Sequence, residues 1–306
     1  MKYSIITSGQ NPATEPVTCT RPLLQCHVGG TTLENALNKK LAPVSSAKPS
    51  DAVFAVKDFF WPSASIILFA MNAKSDTVII SKDGEKLAWI SGNGSEPVDA
   101  AEVLADDECV IISYPWDLLA INEEIVNSLD ASEIEGVVKE RVTIEGKIKL
   151  GKGSVILPGV YIEGNAIFGE NCKIGPNCYI RGATSTGNKC HIGQAVEIKN
   201  SILMDNVSIG HLSYVGDSVI CTKTNFGAGT ITANLRHDGK NHRSMVEGSL
   251  VDTGRRKLGV IIGDNVHTGI HTSFYPGRKM WPGCATRPGE VVNEDIMPPA
   301  EKQERS

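Results

Sequence analysis

From Ile144 onward an aliphatic or near-equivalent residue recurs at every sixth position: Ile144, Leu150, Ile156, Ile162, Phe168, Ile174, Ile180, Thr186 as the one lapse, Ile192 and Ile198. Two places before each stands a mostly small or β-branched residue, among them Ser154, Ala166, Cys172, Cys178, Thr184 and Cys190. Often a glycine follows the aliphatic residue, as in Ile174-Gly175 and Ile192-Gly193. Neither helices nor ordinary strands carry a period of six. Three six-residue faces per coil describe a triangular prism of short parallel strands, with large and small residues alternating inside and glycine supporting the corners. After one-residue slips the period continues through Leu203, Ile209 and Val215, then Ile220, Phe226 and Thr232, and it returns at Ile262, Thr268, Phe274, Met280 and Thr286. Residues 233 to 257 abandon it. This polar insertion, with Arg236-His237-Asp238-Gly239-Lys240-Asn241 and Arg255-Arg256-Lys257, is expected to protrude from the coil. The coil's flat outer faces lead us to expect a homotrimer, by analogy with chains of this type.

Charge marks a change at the same place. Residues 1 to 140 hold 10 basic and 20 acidic side chains, and the remainder 20 and 15, while 23 of the 30 glycines follow residue 140. We therefore expect an α/β domain over 1–135, the β-helix over 136–293 and a polar tail over 294–306. In the first part Asp76–Ile90 reads as a hairpin turning at Asp83-Gly84, Thr32–Leu41 as a helix with Thr32 at its N-cap, and Cys109–Ser113 as a strand leading into a helix from Trp116 to Leu129. It has no Walker loop and no G-x-G-x-x-G. The second half lacks the dense Lys/Arg stripe with stacking aromatics that nucleic acid requires, so phosphorylated small molecules are the expected partners of its modest excess of positive charge. With no apolar run near ~18 residues and no signal-peptide core after Met1, a cytoplasmic protein without membrane contact is expected. The eight cysteines read as thiols. Cys172, Cys178, Cys190 and Cys284 occupy the small interior position, no C-x-x-C pair exists, and no metal is expected.

Four strings in the second half are specific: Glu197-Ile198-Lys199-Asn200, Gly210-His211-Leu212-Ser213-Tyr214-Val215-Gly216-Asp217, Asn225-Phe226-Gly227-Ala228-Gly229-Thr230-Ile231-Thr232-Ala233-Asn234 and Asp252-Thr253-Gly254-Arg255-Arg256-Lys257-Leu258-Gly259. Over residues 136 to 292 they resemble the acetyltransferase half of the bifunctional glucosamine-1-phosphate N-acetyltransferase and sugar-1-phosphate nucleotidylyltransferase proteins, most of all the archaeal branch. The resemblance implies a trimeric left-handed β-helix that moves an acetyl group from acetyl-CoA to the 2-amino group of a hexosamine 1-phosphate, a step toward UDP-N-acetylglucosamine. It implies His211 as general base, since an imidazole can accept the amine's proton as the thioester is attacked. It also implies Arg181 and Lys199 as phosphate ligands, Tyr214 and Asn225 as sugar contacts, Asn234 near sugar and thioester, and Ala228 beside the acetyl-CoA arm. Glu197, two residues from Lys199 on one strand, shares its face and is expected beside the substrate as an orienting partner. Arg255-Arg256-Lys257 either clamps the phosphates of CoA or solvates the loop. Family members carry a Tyr where Leu235 stands, a Lys near His242 and a Ser at Ile270.

The nucleotidylyltransferase half of that family opens on a glycine-rich loop ending in Arg, which this sequence lacks; residues 18–24 with 30–37 resemble only the part that follows it. A reduced domain without nucleotidylyl transfer is therefore expected. Two rivals remain. A zinc carbonic anhydrase of β-helical type needs three histidines at ligand spacing, and His267 with His271 supplies two. A non-catalytic regulatory or assembly subunit would share the architecture but has no use for the intact His211 string.

Overall fold

The computed structural model describes residues 1–46 and 51–298; most of the expected tail, 299–306, lies outside the described residues. The chain falls into two compact units. One comprises Met1–Asn11, Leu23–Gln25 and Thr32–Ser113; the other comprises Pro12–Pro22, Cys26–Thr31 and the chain from Tyr114 on.

The first unit is built on a mixed five-stranded sheet in the order Lys2–Ile6, Val53–Lys57, Lys86–Ser91, Thr77–Ile80, Ala101–Leu104. Its middle pairs are antiparallel and its two outer pairs parallel. Helix α1 (Leu33–Ser45) begins at Thr32, whose side chain accepts from the Asn35 N–H, and α2 (Ala64–Asn72) begins at Ser63, which accepts from Ile66. Each hydroxyl satisfies a donor that the first turn leaves unpaired. The expected hairpin forms, with Gly84 in the left-handed region at its turn.

The second unit is a parallel β-helix with three faces. Among the described residues the first and third faces hold eight strands each and the second holds six. Its interior is the aliphatic column: Leu150, Ile156, Ile162, Ile174, Ile180, Ile192, Ile198 and Ile209 are all fully buried. Thr186, the lapse in the period, is buried too, and its Oγ1 accepts from the Gly169 N–H at 3.2 Å, so its hydroxyl is satisfied inside the coil. The four interior cysteines are buried and all eight cysteines are free thiols. Helix α3 (Leu118–Asn127) belongs to this unit and is pinned by Asn122, which donates to the Ala183 carbonyl at 2.7 Å and accepts from Ser185 Oγ at 2.6 Å.

Glycine supports part of the corners, as at Gly153, Gly159 and Gly182, and other residues take the same left-handed conformation elsewhere. At the corner from first to second face Asn171, Lys189, Asn206, Lys223 and Asn265 take positive φ; from second to third, Arg141, Asn177, Ala195, Leu212 and His271; from third to first, Asn200 and Asp217. Asparagine and aspartate tolerate this conformation better than most L residues, so they replace glycine as corner residues. Glycine remains obligatory where backbones meet: a Cβ on Gly193 would lie 1.8 Å from the Gly210 carbonyl oxygen.

Both slips in the repeat fall at the corner from third to first face. Arg181 pairs with Lys199, yet Ser185 pairs with Ile202 and Lys199 with Gly216, so each later coil is one residue shorter there and stacking survives. The insertion leaves at that same corner, after which Val219 pairs with Ile261 and Ile231 with Ser273. It protrudes less than its polarity suggests. Arg243–Val246 and Ser249–Asp252 form an antiparallel hairpin around Glu247-Gly248, both with positive φ as its tight turn requires. Buried Lys279 donates to the Met245 carbonyl, and Ser244 Oγ donates to the Gly277 carbonyl at 3.0 Å. His242, Ser244, Val246 and Leu258 are buried.

Candidate active site

Side chains alternate along each three-residue strand, so the flanking positions of the third face point outward while Ile180, Ile198 and Val215 fill the core. Stacking then places Tyr179, Glu197, Tyr214 and Ile231 in one outward column, and Arg181, Lys199 and Gly216 in the next. Two cations in register on adjacent strands repel, and two carboxylates offset this. Arg181 Nε donates to Glu197 Oε1 at 2.7 Å. The Lys199 ammonium reaches both oxygens of Asp217, at 2.8 and 2.7 Å. Five of the residues singled out from the sequence, Arg181, Glu197, Lys199, Tyr214 and Asn234, thus share one half-buried patch.

Asp217 is its centre. The residue is 2% exposed, sits at a corner with φ 50°, and accepts from Asn200 Nδ2 at 3.1 Å and from Asn234 Nδ2 at 2.5 Å besides Lys199. Asn234 Nδ2 also donates to Tyr214 Oη at 2.9 Å. A Cβ on Gly216 would come within 2.4 Å of Tyr214 Oη and 2.7 Å of Asn234 Nδ2, so this pair exists because residue 216 has no side chain. Burial, and then the carboxylates of Asp217 and Glu197, push the Tyr214 phenol above its usual range, which keeps its proton on. Behind the patch Asn200 Nδ2 donates to Glu123 of α3 at 2.7 Å, and Glu123 also takes Arg255 of the insertion. Reading residue types alone missed Asp217, although it stands in the His211 string. The missing signal was the slipped register that opposes it to Asn200 and leaves Gly216 beside Lys199.

His211 lies elsewhere. It ends the second-face strand Ser208–His211, in register with Gln194, and its side chain is exposed at the corner that leads to Tyr214. Its carbonyl accepts from Gly229 N at 3.2 Å and from Ser213 Oγ at 2.7 Å, and Leu212 follows with φ 49°. Asn225, also exposed, starts the next second-face strand opposite Ser208, and Ala228 lies beyond it with its carbonyl accepting from His271 N at 2.8 Å. The structure therefore brings together Arg181, Glu197, Lys199, Tyr214 and Asn234 and sets Asn225, expected as a second sugar contact, with His211 and Ala228 on the adjoining face and its corner. Among the described residues no group of three or more His, Cys, Asp and Glu side chains is placed to hold a metal ion.

The sequence profile of the GMPPB C-terminal domain family matches residues 162–273. A bifunctional sugar-1-phosphate nucleotidylyltransferase/acetyltransferase of Sulfurisphaera tokodaii is 40% identical over 231 residues, which is 72% of this chain and 55% of that protein. The bifunctional protein GlmU of Methanococcus maripaludis strain C7 is 52% identical over 185 residues, 60% of this chain and 44% of its own length. The chain thus spans about half the length of the curated relatives it matches. Among solved structures a UDP-N-acetylglucosamine acyltransferase aligns over 54% of this chain and 66% of its own at 13% identity, with a TM-score of 0.22, too low to carry an argument. In sequence, then, this chain resembles the bifunctional nucleotidylyltransferase/acetyltransferase proteins, as its motif strings imply.

Proposed function

We propose that the protein is a cytoplasmic, homotrimeric N-acetyltransferase that takes acetyl from acetyl-CoA to the amine of an amino-sugar phosphate, glucosamine 1-phosphate before others. The observation that carries this reading is the third-face patch, where Lys199 and Asn234 share the Asp217 carboxylate, Asn234 bonds Tyr214, and Arg181, held by Glu197, stands in register with Lys199. Acetyl-CoA supplies an activated thioester carbonyl. Arg181 and Lys199 hold the acceptor's phosphate, Arg181 through guanidinium N–H groups beyond those that Glu197 takes. Tyr214 and Asn225 contact the sugar, Asn234 orients sugar and thioester, and Ala228 lies along the acetyl-CoA arm. His211 takes the proton from the attacking amine as the C–N bond forms, and holds it for the departing sulfur as the C–S bond breaks. Positioning of the amine supplies the rest of the rate.

The test is release of free CoA thiol from acetyl-CoA with a panel of amino-sugar phosphates and their nucleotide-linked forms. We expect release with a hexosamine 1-phosphate and no stoichiometric zinc by elemental analysis. No release with any acceptor would leave a regulatory or assembly role in its place, and one zinc per subunit would return the anhydrase reading.

A further inference from the structure

We propose that Asp217 is a positioning residue that sets the polarity of the acceptor site, so that the site offers one hydrogen-bond acceptor and one donor and selects a phosphate ester carrying an adjacent N–H or O–H donor. This rests on the phosphosugar reading of the patch and adds to it the residue that decides its selectivity.

The argument starts from what each group can do. A carboxylate only accepts. Asp217, paired with the Lys199 ammonium, therefore forces the Asn234 amide to face it with Nδ2 at 2.5 Å. The second N–H of that NH2 group goes to Tyr214 Oη at 2.9 Å. Both amide protons of Asn234 are then committed, and its Oδ1 is what remains for a ligand: an acceptor. Tyr214 Oη is already an acceptor in this pair, and its phenol keeps its proton, so what it has left to give is a donor. Its position beside Gly216, where no Cβ intervenes, keeps this order in place. Lys199 adds the positive charge. A ligand that matches the three groups brings an anion for Lys199, an oxygen for the Tyr214 hydroxyl and an N–H or O–H for Asn234 Oδ1. Replacing Asp217 by an amide would let Asn234 turn over and present the wrong atom, while the backbone stayed as it is. The Gly259 N–H donates to the Asp217 carbonyl at 2.9 Å, and that bond needs no carboxylate.

The experiment is calorimetric titration of the full chain with glucosamine 1-phosphate, with oligomeric state and melting temperature measured on each variant. Asp217→Asn is expected to weaken binding by about 10- to 100-fold, the usual worth of a hydrogen bond to a charged group. The double variant Asp217→Asn/Asn234→Asp restores a hydrogen bond between the two positions with reversed direction and the same total charge. If Asp217 acted only as structural support, the double variant would recover affinity. We expect it to recover melting temperature and to stay at least ~10-fold weak; recovery to within about three-fold of wild type, well inside that loss, overturns the proposal. Wild-type protein decides the matter should the variants not fold: 2-deoxyglucose 1-phosphate, which lacks the donor at position 2, should bind about 10-fold or more weakly than glucosamine 1-phosphate, and equal affinity overturns the proposal. Binding of glucosamine 1-phosphate without acetyl transfer would sink the enzymatic reading alone. No binding at all by the wild type would overturn both.

Discussion

At the scale of single residues, the proposed mechanism separates a proton acceptor from a set of holding groups, and the two kinds of residue should fail differently. His211 carries an exposed ring at a corner and makes its hydrogen bonds through its backbone, so substituting it removes chemistry and little structure. His211→Ala is expected to lower turnover by about 10² to 10⁴ with acetyl-CoA affinity nearly unchanged. Turnover within a few-fold of wild type in initial-rate measurements would remove it from the mechanism. Lys199→Ala should act mainly on the acceptor's KM, because in the proposed reaction the lysine holds the phosphate and does not touch the reacting atoms. It also leaves the buried Asp217 carboxylate without its cation, so a fall in melting temperature should accompany the change in KM. A pure KM effect with unchanged melting temperature would mean that the ion pair is not formed in solution.

At the scale of elements, the coil is a stack of faces in which each interior residue touches those above and below, and defects cost the volume they leave. Ile198 lies fully buried between Ile180 and Val215. Ile198→Ala should cost about 2 to 5 kcal/mol, read as a lowered denaturant midpoint, and a shift below a tenth of that would mean the coil collapses freely onto the gap. The insertion makes stability depend on pH through His242. His242 is buried, its Nε2 lies 3.0 Å from the Asn234 carbonyl, and burial holds its pKa below the ordinary histidine value. The unfolded chain then binds a proton that the folded chain refuses. Stability from this group is complete above the unfolded value of about 6.5 and declines as pH falls from there toward the depressed folded one. The melting temperature should therefore drop between pH 7 and 5, and His242→Gln should flatten that slope; an unchanged slope in scanning calorimetry would assign the drop to other groups.

At the scale of the whole chain, composition divides the sequence near residue 140, whereas packing groups 12–22, 26–31 and 114–135 with the coil. Arg21 and Thr20 donate to Asp264, and Trp281 Nε1 donates to Glu15 at 3.2 Å, so the early segment is hydrogen-bonded to the last coils. Asn122 and Glu123 do the same for α3. A fragment beginning at 136 should on this basis melt lower than one beginning at 114, though both should remain trimeric by light scattering if the outer faces of the coil make the assembly. A monomeric fragment of either length would place the trimer contacts in the first unit.

What the sequence determined by itself is the coil. A period of six over ten faces has one economical solution, and it is local: every interior residue is specified by its own spacing, which is why Ile144 to Ile198, the buried cysteines and the Thr32 helix start follow from neighbouring residues. The outward column that joins Arg181 to Lys199 could be counted off in the same way. Tertiary structure decided the rest, because it rests on register across coils and on segments far apart in the chain. The one-residue slips moved Gly216 under Lys199 and Asp217 against Asn200, and so turned a pair of cations into a charge-balanced patch. The hairpin that looked like a solvated loop is held by Lys279, a residue that enters only one coil later. Asp217 itself was visible in a motif but silent there, since its place in the site lies in three side-chain donors that the chain supplies from residues 199, 200 and 234, and periodicity reports which residues face inward without saying which outward ones meet.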